Sequence, residues 1–280
     1  MKRAIESVLN QTYKDIECVV VDDASDESSE GLCNQYAVRY IYIPQEESRG
    51  GNYARNLGIK ETDGKFVAFL DDDDYWLPTK IEKQVALISS KSGCGMVYCK
   101  RFFERVYNDD NIVVREQSSR VSCPQGNLHE EILWGTVAVS SCILCTRSLL
   151  LEIGMFDDRL SSWQDYDLTI RAAQKSDIYM VEEPLVVYRK DVRAKGRISN
   201  DYGLWLSSAR RVHNKYKQLY SELDIDKKVQ AWAYFHRSGM VRSKRSGLKL
   251  RYLWHTAVYY MLISILKILN KNRALSSLNL

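Results

Sequence analysis

Residues 66–76 read Phe-Val-Ala-Phe-Leu-Asp-Asp-Asp-Asp-Tyr-Trp, an apolar run of strand type that stops in four consecutive aspartates. Crowded carboxylates repel one another unless solvent, a cation or hydrogen bonds offset the repulsion. Binding groups in open α/β sheets collect at the carboxyl ends of strands, where this cluster would sit. The stretch points to a divalent-metal site at a sheet edge, against the alternative of a solvated acidic turn.

The chain around it alternates. Ala4, Ile5, Val8 and Leu9 recur at helical spacing, and Ile16–Val21 reads as a buried strand ending in Asp22-Asp23. Ser25 and Ser28 are cap candidates for a helix near Leu32–Ala37, followed by a strand over Val38–Ile43. Ser48–Asn52 is a turn feeding a helix with Ala54, Leu57 and Ile59, and Pro78 opens a helix whose core face is Ile81, Val85 and Ile88. Met96–Phe103 and Asn111–Arg115 form a hairpin pattern around Asn108-Asp109-Asp110, and Val137–Cys145 is a further strand candidate. Leu149–Ile153 reads as a short helix closed by Gly154. Trp163–Leu168 leads into another helix, and Met180–Val187 is a last strand, broken by Pro184. Such alternation over the first 95 residues predicts a mostly parallel sheet.

Charge divides the chain. Residues 1–200 balance at −7 and residues 201–280 at +11. A basic tail suits an anionic surface. Its last helix candidate, Tyr252–Leu269, carries Trp254, Tyr259 and Tyr260 just after Lys244, Arg245, Lys249 and Arg251. The uncharged part, residues 252–266, falls short of the ~17–25 residues of a membrane crossing, so a helix lying in an anionic interface is expected, against a core helix with a basic flank. Seven cysteines are an odd set in a chain of 280 residues. Cys142 and Cys145 have C-x-x-C spacing within an apolar run, without a second pair or a nearby histidine, so buried thiols in a reducing compartment are expected. No signal-peptide pattern precedes the first amphipathic segment, and a cytoplasmic location follows as an expectation.

Three acidic groups bear on chemistry: Asp22-Asp23, Asp71–Asp74 and Asp165. Mg²⁺ or Mn²⁺ beside a diphosphate needs only one or two carboxylates, which Asp71 and Asp73 can supply, while a carboxylate kept off the metal can act as general base. The sequence has no GxxxxGK[ST], no GxGxxG after a strand, no H-E-x-x-H and no G-x-S-x-G. Basic residues near 193 lack interleaved aromatics, so no nucleic-acid partner is expected.

Four segments together resemble the inverting family 2 glycosyltransferases of the GT-A fold. They are Arg3–Tyr13, Val20–Asp26, Ala54-Arg55-Asn56-Leu57-Gly58, and Phe69–Asp74 followed by Trp76, Pro78 and Lys80, and the likeness runs from residue 2 to about 199. The resemblance implies an α/β, GT-A type nucleotide-binding domain over 1–200 with a mixed, mostly parallel central sheet, and a basic helical region over 201–280. It implies that Asp22 and Asp23 meet the nucleotide, Arg55 the diphosphate side, and Asp71 and Asp72 the nucleotide sugar. Asp73 and Asp71 would hold Mn²⁺ or Mg²⁺, with Asp191 a further candidate where the family often has histidine. Asp165, after Gln164 where the family usually has glutamate, would be the general base. Arg193, Lys195 and Arg197 could meet phosphate, with Ser199 in the same loop.

The expected activity is non-processive, inverting transfer from a nucleoside-diphosphate sugar to a saccharide or lipid-linked saccharide of the cell envelope. Its expected place is the cytoplasm, at the inner membrane's cytoplasmic face. The rivals are a metal-dependent sugar nucleotidyltransferase and a non-catalytic sugar-nucleotide-binding protein. Family members begin with a strand that has no counterpart before the helix at Ala4–Leu9. A late recorded start, a substitute element or an impaired chain are the three expectations this raises.

Overall fold

The computed structural model describes residues 1–108, 111–116, 124–191, 193 and 198–277, with backbone alone for 111, 199 and 271–277. Asp109, Asp110, Lys195 and Arg197, named above, and Cys123, one of the seven cysteines, lie outside the described residues. The chain divides into two compact units. The first comprises Met1–Leu128, Val137–Arg159 and Gln164–Ala194; the second comprises His129–Thr136, Leu160–Trp163 and Lys195–Leu280.

In the first unit, β1 (Val19–Asp23) and β2 (Arg39–Ile43) form a two-stranded parallel sheet. Helices α1 (Lys2–Leu9) and α2 (Glu30–Gln35) bring Ile5 and Cys33 onto it, closing a core with Val38, Val20 and Tyr40. The N-cap of α2 is Ser29, not Ser25 or Ser28, although the Ser28 hydroxyl accepts from Glu30 N beside it. The opening segment is anchored by one buried amide. Gln11 donates to the Ser7 and Leu77 carbonyls and accepts from Ile81 N, so α1 is stitched to residues 77–81.

The remaining strands build a six-stranded mixed sheet in the order β3-β7-β5-β8-β4. These are β3 (Phe66–Ala68), β4 (Tyr75–Trp76), β5 (Cys94–Asn108), β7 (Leu144–Thr146) and β8 (Asp177–Asp191), with β6 (Asn111–Glu116) paired to β5. The pair β5–β8 is parallel; the β3–β7, β5–β7, β4–β8 and β5–β6 pairs are antiparallel. Met96, Val97, Leu144, Cys145, Ile178 and Val186 are buried at its centre. Helices α3 (Gly51–Lys60), α4 (Lys80–Ser90), α5 (Arg147–Glu152) and α6 (Gln164–Ala173) complete this unit.

Two local expectations change. Residues 137–145 are not one strand: Ser140–Cys142 wind into a 3₁₀ turn and only Leu144–Thr146 pairs. Short hydroxyl side chains compete with ladder bonding when they have polar partners, and both serines here do. Pro184 does not break β8; its missing N–H is absorbed by a register shift opposite Cys99-Lys100-Arg101. The described cysteines are free, with Cys33, Cys99, Cys142 and Cys145 buried.

The second unit is helical: α7 (Tyr202–Lys215), α8 (Lys217–Glu222), α9 (Ile225–Arg245) and α10 (Lys249–Ser277). Asp201 caps α7 by accepting from Leu204 N. Gly239 lets α10 pack on α9, since a Cβ there would collide with the His255 ring. The opposite side of α10 is open: Leu250, Leu253, Trp254, Tyr260, Met261 and Ile268 are exposed at three- and four-residue spacing. Lys249–Asn270 is, by length and composition, a 22-residue stretch able to cross a membrane, longer than the uncharged count of 252–266 suggests. The difference lies in basic residues at its ends, whose long side chains can reach a polar boundary.

Candidate active site

Asp71–Asp74 form the turn between β3 and β4, closed by Asp74 N donating to Asp71 O at 3.0 Å. The four carboxylates separate by environment. Asp72 is exposed, Asp71 and Asp73 are half-buried, and Asp74 is only 1 % exposed. The Asp74 carboxylate accepts from Ser141 Oγ at 2.6 Å and from Arg189 N at 2.9 Å. Burial, with the charges of Asp71 and Asp73 adding to it, pushes its pKa up to about 8. Asp74 is thus the inward-facing member and the one whose carboxyl is driven toward its protonated form.

Arg55 reaches the turn from α3. Its Nη2 donates to Asp71 Oδ1 at 2.5 Å. Burial works against the Arg55 charge, but Asp71 and Asp165 outweigh it and raise its pKa. Asp165 is the second residue of α6 and half-buried. Burial lifts its pKa above the usual carboxylate value, Arg55 and a hydrogen bond from Ser140 Oγ pull it down, and Asp71 adds upward. The structure therefore brings Arg55, Asp71, Asp74 and Asp165 into one electrostatic group, with Ser140 and Ser141 joining it from the 3₁₀ turn.

Asp22 and Asp23 end β1, in a different sheet from β3, so strand adjacency does not place them beside Asp71. The connection runs through α3 instead. Asp23 Oδ2 accepts from Gly50 N at 2.7 Å, and Gly50, at φ 88°, adopts a left-handed conformation suited to glycine as it leads into the helix that carries Arg55. The two aspartates differ. Asp22 accepts from Ser25 N at 3.0 Å and Tyr40 OH at 2.7 Å; burial opposes its charge, but these bonds hold its pKa below the usual value. Asp23 Oδ1 is buried and has no hydrogen-bond partner, which marks it as the atom poised for an incoming donor.

Asp191, at the end of β8, accepts from Arg193 N, Nε and Nη2, and these bonds hold its pKa down at about 2. Among the described residues no group of three or more His, Cys, Asp or Glu is assembled that could hold a metal ion.

Residues to which the sequence reading assigned no role do structural work around the site. Asn56 exchanges hydrogen bonds with the backbone of Phe156, at 2.9 Å in both directions, and fixes α3 below Arg55. Glu104, buried on β5, pairs with Arg3 and Arg189 and accepts from Tyr75 OH. Lys80 is fully buried, donates to Gln84 Oε1 at 2.7 Å and lies over the Trp76 ring; burial lowers its pKa to about 8. The one signal for the Ser140-Ser141 pair was two hydroxyls inside an apolar run.

A sheet with acidic turns at strand ends, and an arginine between two of its carboxylates, defines an enzyme-like polar site on a nucleotide-binding type of α/β fold. The family model described as Glycosyl transferase family 2 matches residues 1–154, and the chain belongs to that family. It is 32% identical over 192 residues to an uncharacterized glycosyltransferase, RP339, of Rickettsia prowazekii (strain Madrid E), covering 68% of this chain and 59% of that protein. It is 33% identical over 143 residues to an Escherichia coli protein named UDP-Glc:alpha-D-GlcNAc-diphosphoundecaprenol beta-1,3-glucosyltransferase WfaP, covering 50% of this chain and 53% of that one. The chain thus spans somewhat over half the length of these relatives. The crystal structure of S. aureus TarS 1-349 shares the fold at TM-score 0.55 and 17% identity, covering 96% of this chain and 87% of that one.

Proposed function

We propose that the protein transfers a glycosyl group from a nucleoside-diphosphate sugar to a saccharide or lipid-linked saccharide acceptor, with inversion at the anomeric carbon. The observation that carries this reading is the shared field of Arg55, which binds Asp71 on the diphosphate side and faces the half-buried Asp165. Asp23 receives the nucleoside through its unpartnered Oδ1. Arg55 draws the diphosphate against the acidic turn. Asp165, its pKa raised by burial and drawn part of the way back by Arg55 and Ser140, takes the proton of the acceptor hydroxyl. The acceptor oxygen then attacks the anomeric carbon opposite the departing diphosphate.

The donor set of the acidic turn suits a hard cation such as Mn²⁺ or Mg²⁺. Asp71 and Asp73 offer oxygen ligands only, and their charges add to burial in raising the Asp74 pKa, a crowding of negative charge that a cation would relieve. Asp71 and Asp73 would hold the ion, and it would supply neutralisation of the leaving diphosphate. Asp191, engaged by Arg193, would have to exchange that partner to join.

The name of the Escherichia coli relative supports a lipid-linked acceptor for cell-envelope polysaccharide. The apolar outer side of α10 beside Lys244, Arg245, Lys249 and Arg251 supports contact with the cytoplasmic face of the inner membrane. Incubation with UDP-, GDP- and dTDP-sugars, a diphosphate-lipid saccharide acceptor and Mn²⁺ tests the reading. Release of nucleoside diphosphate coupled to a glycosylated product is expected; an acceptor unchanged with every donor would refute it.

A further inference from the structure

The 3₁₀ turn Ser140–Cys142 stands between the acidic turn and the candidate base, and its two hydroxyls are spent on different carboxylates. Ser140 Oγ donates to Asp165 Oδ1. Ser141 Oγ donates to Asp74 Oδ2 at 2.6 Å and accepts from Asp71 N at 3.2 Å, while Ser141 O accepts from Trp76 Nε1 at 3.0 Å. Both serines are buried, at 2 % and 0 % exposure. The turn is itself held: Cys142 N donates to Val139 O, Ile143 N to Ser140 O, and Gln84 Nε2 to Cys142 O at 2.9 Å.

Hydroxyls so fully buried are costly unless bonded, and alanine would fill nearly the same volume without that cost. Their chemistry must therefore matter to what they touch. Neighbouring residues of one tight turn cannot move independently. A carboxylate tied to Ser140 and an acidic turn tied to Ser141 are thus held at a fixed separation.

We infer that Ser140 is a positioning residue for Asp165, and that the Ser140-Ser141 turn sets the base in register with the acidic turn. Ser140 Oγ occupies Oδ1 of the carboxylate that is to take the acceptor proton. The groups facing Asp165 are Arg55 from α3, Asp71 from the turn after β3, and Ser140. Removing the hydroxyl leaves burial and Asp71 opposed by Arg55 and the Ser140 backbone hydrogen bond, which favours the protonated acid more than in wild type. The inference rests on the reading of Asp165 as the base, but its central measurement needs no turnover.

The experiment titrates the Asp165 carboxyl of the full chain by infrared difference spectroscopy, its band assigned by loss in Asp165→Asn. Ser140→Ala is expected to raise the titration midpoint by about one unit, a ~10-fold gain in proton affinity. Ser140→Thr, which restores a hydroxyl, is expected to return the midpoint to the wild-type value, and Ser141→Ala to leave it nearly in place. A midpoint in Ser140→Ala equal to wild type would overturn the inference. Should Ser140→Ala fail to fold, Ser140→Cys, with its weaker donor, carries the same measurement. With transfer established, Ser140→Ala is expected to lower kcat ~10–100-fold with donor KM within about twofold. A change confined to KM would overturn the inference. A wild-type chain without transfer would sink the transferase reading, while the titration still decides the role of Ser140.

Discussion

Arg55 Nη2 lies 2.5 Å from Asp71 Oδ1, and the same guanidinium sits in the field of Asp165. One cation thus serves two carboxylates assigned to opposite sides of the reaction. Its planar fork, half-embedded against Phe156, is suited to this in a way that a flexible ammonium is not.

Replacement of Arg55 by methionine is therefore expected to lower kcat/KM ~10²-fold or more. Loss of the guanidinium raises the Asp165 pKa further, so the deficit should be greater at pH 6 than at pH 8. Arg55→Lys should recover part of the rate. A pH–rate profile of the three proteins checks this, and an equal deficit at every pH would count against the shared-cation arrangement.

Asp165→Asn removes the proton acceptor while keeping shape. Transfer should fall ~10²–10⁴-fold, with nucleoside-diphosphate binding by calorimetry unchanged. Wild-type transfer in this variant would displace Asp165 as the base.

Chelation should stop transfer, with Mn²⁺ or Mg²⁺ restoring it. Asp73→Asn should raise the cation concentration needed for half-maximal rate by ~10-fold or more, since it removes one of two protein carboxylates. Measurement of rate against free Mn²⁺ decides this.

The raised pKa of Asp74 carries a stability consequence in metal-free buffer. Because the folded state holds this proton up to about pH 8 and the unfolded chain releases it near its ordinary value of 3.8, proton binding favours the fold below pH 4. That contribution is lost progressively as pH rises to about 8. Asp74→Asn, a neutral mimic, should therefore gain on wild type across this window, by on the order of a few kcal/mol in urea unfolding. A difference independent of pH would show that Asp74 is ionised in the fold.

On vesicles containing anionic lipid, the full chain should float, and raised salt should weaken the association. Leu250→Ser with Trp254→Ser removes exposed apolar contacts on α10 and should reduce the bound fraction severalfold at unchanged helix content. Equal flotation of the two proteins would sink the membrane contact.

Much of the fold was legible because local pattern governs it. Helical spacing at Ala4–Val8 and a turn at Asp71–Asp74 survive into the structure with small boundary shifts. The family, too, was legible in short motifs whose residue types serve chemistry. The 137–145 segment was misread because its serines answer to carboxylates distant in sequence, at 67 and 25 residues' separation, which no local window contains. Pro184 was misread because a long parallel partner, β5, holds β8 together through a bulge.

Sequence alone determined which groups exist to do the work: an acidic turn, an arginine on a helix, a buried-strand aspartate pair and a lone Asp165. Only the tertiary structure decided their states. Burial made Asp74 a proton holder and left Asp23 Oδ1 unpartnered, while hydrogen bonds satisfied Asp22. Identical carboxylates in one chain acquire different charges because desolvation and pairing are properties of place, set by contacts between residues far apart along the chain.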